Sequence, residues 1–452
     1  MCKQPSPTQP SRRRDAATQR ILFFIQSPRR LCASASKPIV VFLVLATPAF
    51  AQPQPVERVT LEEAVARALK NNPTIAAASQ AILRAEGLLQ QARAATMPNV
   101  SAVFSNTAVD RARGFNGIIT QPRDQATLSA NLSVPVLAPV RWAAASQARD
   151  QIEVAGLSTA DVRKQIGVST AQAYLAIITQ RRQVELNIRA LETARAHLDY
   201  SNRRLESGAG TRLNQLRAAQ EVSTDQARLE NAGLAVLRAQ EALGVLMAAN
   251  GPVDAAAEPV FDIPAAIDET AWMGARTDLR LQTATQRAFE RVWKDSSKDY
   301  FPTAIASFDP QGITPSGAFT PSRTWRFTVS FSQPIFDGGQ RRGLRRFREA
   351  AARASELALA STQIQARSEV RLAQEVVRST ERTLVSLQLS AEQANDVLNI
   401  TNVAFEAGAT TNLEVIDAQR SARDAEAAAE IAADSVRRAR LDLLTALGRF
   451  PQ

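Results

Sequence analysis

The chain has 452 residues and a net charge of +10, a basicity that in one block would suggest a nucleic-acid partner. Residues 1–51, however, hold eight basic side chains and one acidic, so +7 lies in this leader and only +3 in the rest, which removes the case for nucleic acid. One histidine and two cysteines, Cys2 and Cys32, leave no material for a His- or Cys-rich metal site or a disulfide framework beyond the leader.

The leader has the layout of a secretory signal. A basic stretch precedes the apolar run Ile39–Ala46, and Ala49-Phe50-Ala51 supplies a small-x-small cleavage pattern before Gln52. The run is far shorter than the roughly 20 residues a spanning helix needs. Cleavage after Ala51 makes the mature chain cysteine-free, with no residue for an N-terminal lipid. A Gly-x-Ser-x-Gly elbow and a Gly-x-x-x-x-Gly-Lys phosphate loop are both missing from the sequence. The single His197 falls in a long helical stretch and reads as an ordinary helix-surface residue. No catalytic role, cofactor or metal is expected.

After the leader, Thr60 with Glu63 three residues on forms a capping-box pattern that opens a helix. Asn71-Asn72-Pro73 punctuates it, and a helix resumes towards Ala95. Residues 125–134 then alternate apolar and polar, with a weaker strand at 99–109 before them and a loop at 110–124 that contains the turn dipeptide Asn116-Gly117. Alternation alone is met more often in a half-buried soluble sheet than in a membrane barrel. From Pro139 to Pro252 there is no intervening proline, and Ala, Leu, Glu, Gln and Arg abound, so the tract is read as helical. Ile166, Ala173, Leu175, Ile178 and Leu186 keep to one helix face, as in packed coiled-coil-like helices.

One break interrupts this tract, at Glu206-Ser207-Gly208-Ala209-Gly210-Thr211, where glycine ends one helix and threonine caps the next. The tract is therefore a helical hairpin, about 140–251, whose first arm is roughly 100 Å long. Residues 252–270 read as a linker. The order then recurs: a helix, strands at 303–309 and 325–332, a loop at 310–324, and a tract without proline from Pro334 to Pro451, broken at Glu406-Ala407-Gly408-Ala409-Thr410-Thr411.

The two breaks sit 200 residues apart, and residues 203–220 and 403–420 share six identical positions of eighteen. Pro135 matches Pro334, and the helix-ending Gly251 is matched to Gly448. The chain is an internal duplication, with repeats at 52–251 and 271–452.

This arrangement, together with Ala68-Leu69-Lys70-Asn71-Asn72-Pro73, Val134-Pro135-Val136, Gln333-Pro334-Ile335-Phe336-Asp337-Gly338-Gly339 and the stretch Gly408–Gln419, resembles the TolC family of outer-membrane efflux proteins over about residues 57–450. Many relatives carry a cysteine after the signal peptide where this chain has Gln52. The resemblance implies a mainly α fold with a small β part. Long helical hairpins would form an α-barrel tunnel, and four β-strands per protomer would complete a trimeric 12-stranded transmembrane β-barrel. It implies a homotrimer in outer-membrane lipid with a periplasmic helical extension. The partners would be a periplasmic adaptor (membrane fusion) protein and an inner-membrane transporter, in a tripartite efflux or type I secretion system. Strand arithmetic agrees: four strands cannot close, and three protomers supply twelve. An adaptor-type coiled-coil protein is the competing reading. It calls for one hairpin flanked by lipoyl-like and β-barrel domains.

Two sets of residues are candidates for function. Glu414 and Asp417 share a helix face just after the Gly408 turn, and the resemblance makes them an acidic ring at a pore constriction; a solvated helix face is the alternative. In the first repeat Asn214 replaces an acid, with Arg212 and Arg217 as possible gate partners. The small turn residues Ser207, Gly208, Ala209, Ala407, Gly408 and Ala409 are candidate adaptor-docking positions, where close backbone approach is easy.

Overall fold

The computed structural model describes residues 56–264 and 268–450. The leader and its cleavage site lie outside the described residues. The described chain opens with a short strand, β1 (Glu57–Val59), and two helices, α1 (Leu61–Asn71) and α2 (Pro73–Ala94). The Thr60 side chain caps α1 by accepting the Glu63 amide at 3.2 Å. The reciprocal half of the expected box is replaced, because the Glu63 carboxylate instead meets Arg67, one helical turn on, at 2.5 Å. Asn72 closes α1 and caps α2, with Pro73 in the first turn.

Next come β2 (Asn99–Ala108), a small hairpin of β3 (Arg113–Phe115) and β4 (Ile118–Gln121), and β5 (Asp124–Leu137). The first long hairpin is α3 (Pro139–Glu206) and α4 (Arg212–Met247). A short β6 (Val253–Ala255) leads to α5 (Glu269–Ala275), α6 (Thr277–Lys294) and a 3-10 turn at Asp295–Tyr300. Then follow β7 (Thr303–Thr314), β8 (Arg323–Ser332), and the second hairpin, α7 (Gln340–Glu406) and α8 (Asn412–Ala446). The first hairpin ends at Met247 and the second at Ala446.

Several finer expectations need correction. The loop at 110–124 contains the β3–β4 hairpin, turned by Asn116 and Gly117 at φ 50° and 77°. Strand β7 runs five residues past the expected 309, which shortens the second loop. The stretch read as a linker contains β6, which pairs in parallel with β1, Glu57 opposite Val253. Gly251 does not end a helix: Ala248, at φ 54°, takes the left-handed position, so the true counterpart of Gly448 (φ 68°) is Ala248.

Four strands form one antiparallel sheet in the order β2-β5-β7-β8. Its register sorts the two faces. One row across the sheet reads Val100, Leu132, Phe308, Phe327, and another carries Ala102, Ala130, Pro310 and Trp325. The row between them holds Ser101, Asn131, Asp309 and Arg326, with Asn131 donating to the Asp309 carboxylate. The apolar face has no cover: Phe104 is 70% exposed, Trp325 72%, Phe327 62% and Phe331 75%. A soluble sheet would hide this face against a core.

The long arms have 68 and 67 residues, about 100 Å each, but the return arms α4 and α8 have only 36 and 35. The sheet-proximal half of α3 is covered by α2 and that of α7 by α6, so each level carries four helical segments. Strand-to-helix passage is tightly shaped at α7. Gly338 and Gly339 are left-handed at φ 64° and 95°, and the Asp337 side chain accepts the amides of Gly339 and Arg341 at 3.0 Å each.

The packed core lies where the short helices meet the middle of the long ones. Tyr174, Leu175, Ile177 and Ile178 of α3 join Val59, Ala64, Ala68, Leu243, Val253 and Leu441 in one cluster. Trp272, Leu279, Val370, Val377 and Leu443 form a second around α7. Tyr174 is fully buried, its hydroxyl 3.2 Å from the Val59 carbonyl and 2.8 Å from that of Ala257, and it accepts the Ala257 amide at 3.3 Å. It thus ties α3 to β1 and to the segment after β6. Tyr174→Phe is expected to cost about 1–3 kcal/mol, since the Ala257 amide loses its partner. A lower thermal midpoint of the detergent-solubilised protein is the readout.

Candidate functional site at the hairpin ends

Both hairpins turn in the same way. After α3, Ser207 stays right-handed, Gly208 takes φ 76°, and Thr211 caps α4 by accepting the Asn214 amide at 3.2 Å. A Cβ at Gly210 would lie 2.9 Å from the Leu205 nitrogen, so this glycine is demanded by close packing. After α7, Gly408 also takes φ 76° and Thr411 caps α8. Ser207, Gly208, Ala209, Ala407, Gly408 and Ala409 are all exposed at these ends.

The acidic pair is also exposed, one helical turn apart at the start of α8. Glu414 has a structural duty that the sequence reading did not assign: Thr411 accepts its amide at 3.4 Å, and its carboxylate accepts the Thr411 amide at 3.4 Å. Asp417 has no such duty. Of the first-repeat residues, Asn214 is brought to the second repeat, its carbonyl accepting the Asn412 side-chain amide at 3.5 Å. Arg212 turns to Gln215 of its own helix, and Arg217 is exposed. Among the described residues neither arginine pairs with Glu414 or Asp417 within the protomer.

Two clusters here were not foreseen. Further in from the ends, about two and a half and three and a half turns into α4, Glu221 and Asp225 are buried, each side chain 4% exposed. Arg420 of α8 reaches Glu221 at 2.5 Å, Arg423 of α8 reaches Asp225 at 2.9 Å, and Arg228 reaches Asp225 at 2.7 Å. Burial acts to raise the Glu221 pKa, but the Arg420 hydrogen bond and the charges of Arg420, Arg423 and Arg228 outweigh it. The carboxyl therefore stays below its ordinary 4.5. The only sequence signal was the i,i+4 acid pair on α4, with its partners on another helix.

The second cluster corrects the reading of His197. It is not a surface residue: it is 8% exposed, Nε2 is 2.6 Å from Asn412 Oδ1, and its ring lies 5.5 Å from that of Phe405. Among the described residues no group of His, Cys, Asp and Glu is placed to hold a metal ion.

An exposed apolar sheet is thus joined to two equivalent, very long hairpins, and this combination has known counterparts. Residues 64–249 and 303–449 match the family described as outer membrane efflux protein. The chain belongs to that family. It is similar to the cobalt-zinc-cadmium resistance protein CzcC of Cupriavidus metallidurans, 22% identical over 80% of this chain and 83% of the relative. In fold it matches a membrane protein from Pseudomonas aeruginosa, with TM-score 0.77, 22% identity and coverage of 87% of this chain and 91% of that one. The CmeC outer membrane channel of Campylobacter jejuni matches with TM-score 0.76, 17% identity and coverage of 86% and 85%. This efflux-family chain is a passive outer-membrane channel component of a tripartite pump, with its helices on the periplasmic side, and not an enzyme. The adaptor-type reading falls, since the hairpin is present twice and each copy is joined to the sheet.

The ion network yields a direct expectation for this efflux protein. Replacing Arg420 and Arg423 together by Ala leaves two buried carboxylates facing only Arg228, at a cost of about 3–5 kcal/mol. Thermal melting and exchange protection of α4 and α8 amides should both fall. In the intact protein Glu221 contributes fully above pH 4.5, and its contribution is lost as pH falls through its depressed value.

Proposed function

We propose that three copies of this chain close side by side into one export channel, with the hairpin ends as its periplasmic mouth. The observation that carries this reading is the sheet. Its edge strands β2 and β8 have ten residues each and run in opposite directions, so β8 of one copy can pair with β2 of the next. Three copies make a closed barrel of twelve strands with the apolar rows facing lipid and the Asn131, Asp309 and Arg326 row facing the lumen. Four helical segments per level give a tunnel of twelve. No cofactor is needed, because the inner-membrane transporter supplies energy.

At the mouth, Glu414 and Asp417 from three copies form six carboxylates near one constriction. Such a ring favours cations and is sensitive to divalent block. Substituting Asp417 by Asn, and Glu414 by Gln so that the cap is kept in neutral form, should lower cation selectivity in planar bilayers. Selectivity equal to wild type would remove the ring from the mechanism.

The exposed turns dock the periplasmic adaptor. Ala209 and Ala409 are the informative positions, since neither has the positive φ that the glycines supply. Ala209→Trp and Ala409→Trp should preserve the trimer, read by light scattering of the detergent complex, yet abolish export. A photocrosslinker at either position should capture the adaptor. Normal export by both variants would place docking elsewhere.

A further inference from the structure

We infer that His197 is a latch that holds the two hairpins together at the mouth in its neutral form and releases them when it is protonated. The inference rests on the assignment of the hairpin ends as the mouth. All four long helices meet at this residue. His197 of α3 bonds to Asn412 of α8 at 2.6 Å, and Asn412, itself 3% exposed, donates to the Asn214 carbonyl of α4 at 3.5 Å. Phe405 of α7 packs on the imidazole, and Tyr200 of α3 lies edge-on to Phe405 at 5.4 Å. Arg204 closes the cluster, its guanidinium 5.5 Å from the Phe405 ring and 5.9 Å from that of Tyr200. Two more hydroxyls at this level, Ser201 and Thr410, are buried with no hydrogen-bond partner. The polar tie between α3 and α8 here is therefore His197 with Asn412.

The tautomer follows from the partner. Oδ1 only accepts, so Nε2 carries the proton and Nδ1 is bare. Charging the ring places a proton on Nδ1, which makes no hydrogen bond among the described residues. The charged groups around it offer no relief. On α3 the nearby cation is Arg204; beside Phe405 on α7, Glu406 is exposed; on α8, Glu414 and Asp417 are exposed; on α4, Arg212 and Arg217 are exposed. Burial lowers the His197 pKa, the Asn412 hydrogen bond opposes this, and no charge shifts it.

The sign then follows. A base whose pKa is lowered by burial binds its proton more readily when released. The latched packing is at full strength above the ordinary 6.5 and weakens as pH falls from there towards the depressed value. Within that window each pH unit shifts the released-to-latched ratio about tenfold per protomer. Glu221 titrates separately, below its ordinary 4.5.

The test uses the purified mature channel in planar bilayers at about pH 7.5 and about pH 5.5, values that straddle histidine titration. Wild-type conductance should rise at the lower pH. His197→Gln keeps an amide donor for Asn412 without titrating, and should remain in the low-conductance state at both. His197→Lys carries charge throughout and should conduct at both. Hydrogen exchange of residues 190–206, compared between wild type and His197→Gln at the same pH, should be faster in wild type at the lower pH and equal at the higher. If the lysine variant does not assemble, the glutamine variant still decides. A glutamine variant that opens in acid as wild type does, or a wild type that does not respond in this window, overturns the latch. Neither result touches the acidic ring, which is read by selectivity at one pH.

Discussion

Everything in this molecule depends on a sheet that cannot exist alone. Four strands carry a continuous apolar face, and the edge strands β2 and β8 are each unpaired on one side. In lipid an unpaired strand edge leaves backbone N–H and C=O groups without partners, at several kcal/mol each. In water the exposed Phe104, Trp325 and Phe327 would drive aggregation. Pairing both edges removes the first penalty, and only lipid against the apolar face removes the second. The helical part follows from the same count. Strand β5 leads into α3 and β8 into α7, while α2 leads into β2 and the 3-10 turn after α6 leads into β7. Each strand is continued by one helical segment, so the number of strands sets the number of helices in the tunnel wall.

The large pieces were legible because they depend on local rules. The absence of proline over more than a hundred residues, a glycine-threonine break and a 200-residue offset identify both hairpins without any tertiary knowledge. Alternation identified the strands, but not what covers the apolar face; that required the register to align Val100, Leu132, Phe308 and Phe327 into one row. The missed pieces are those whose partners are remote. Strands β1 and β6 have three residues each, and each finds its partner almost 200 residues away. Ala248 took the left-handed cap that a nearby glycine was expected to fill, which shows tertiary packing overriding local preference. Here the carbonyl of Gly251 packs directly over Gly244, where a Cβ would clash.

The same distance rule hid the chemistry of the hairpin ends. His197 and Asn412 are 215 residues apart in sequence, and Glu221 and Arg420 are 199 apart. Its sequence neighbours Glu192, Arg195 and Asp199 are surface residues, and the signal that could have placed His197 inward was its helical spacing from Leu191, Ala194 and Ser201, all buried on the same face of α3. Glu414 was legible as an acid but not as half of a capping box, although Thr411 stands three residues before it. One carboxylate therefore serves both the helix end and the proposed ring.

The 200-residue offset also separates what duplication supplied from what divergence added. The turns, caps and left-handed glycines correspond in both repeats. The charges do not. Where α4 has Glu221 and Asp225, α8 has Ser421 and Ala425; where α8 has Arg420 and Arg423, α4 has Gln220 and Ser223. In this cluster α4 supplies both acids and α8 two of the three bases, so the ion pairs join α4 to α8. The latch is one-sided in the same sense: the positions matching His197 and Asn412 are Val397 and Arg212, a pair that cannot form its hydrogen bond. Interchangeable backbones therefore hold the tunnel wall, and non-interchangeable side chains decide which helix meets which at its end. An opening that separates the two hairpins must break both the His197 tie and the α4–α8 ion pairs, which lie at two different depths from the hairpin ends.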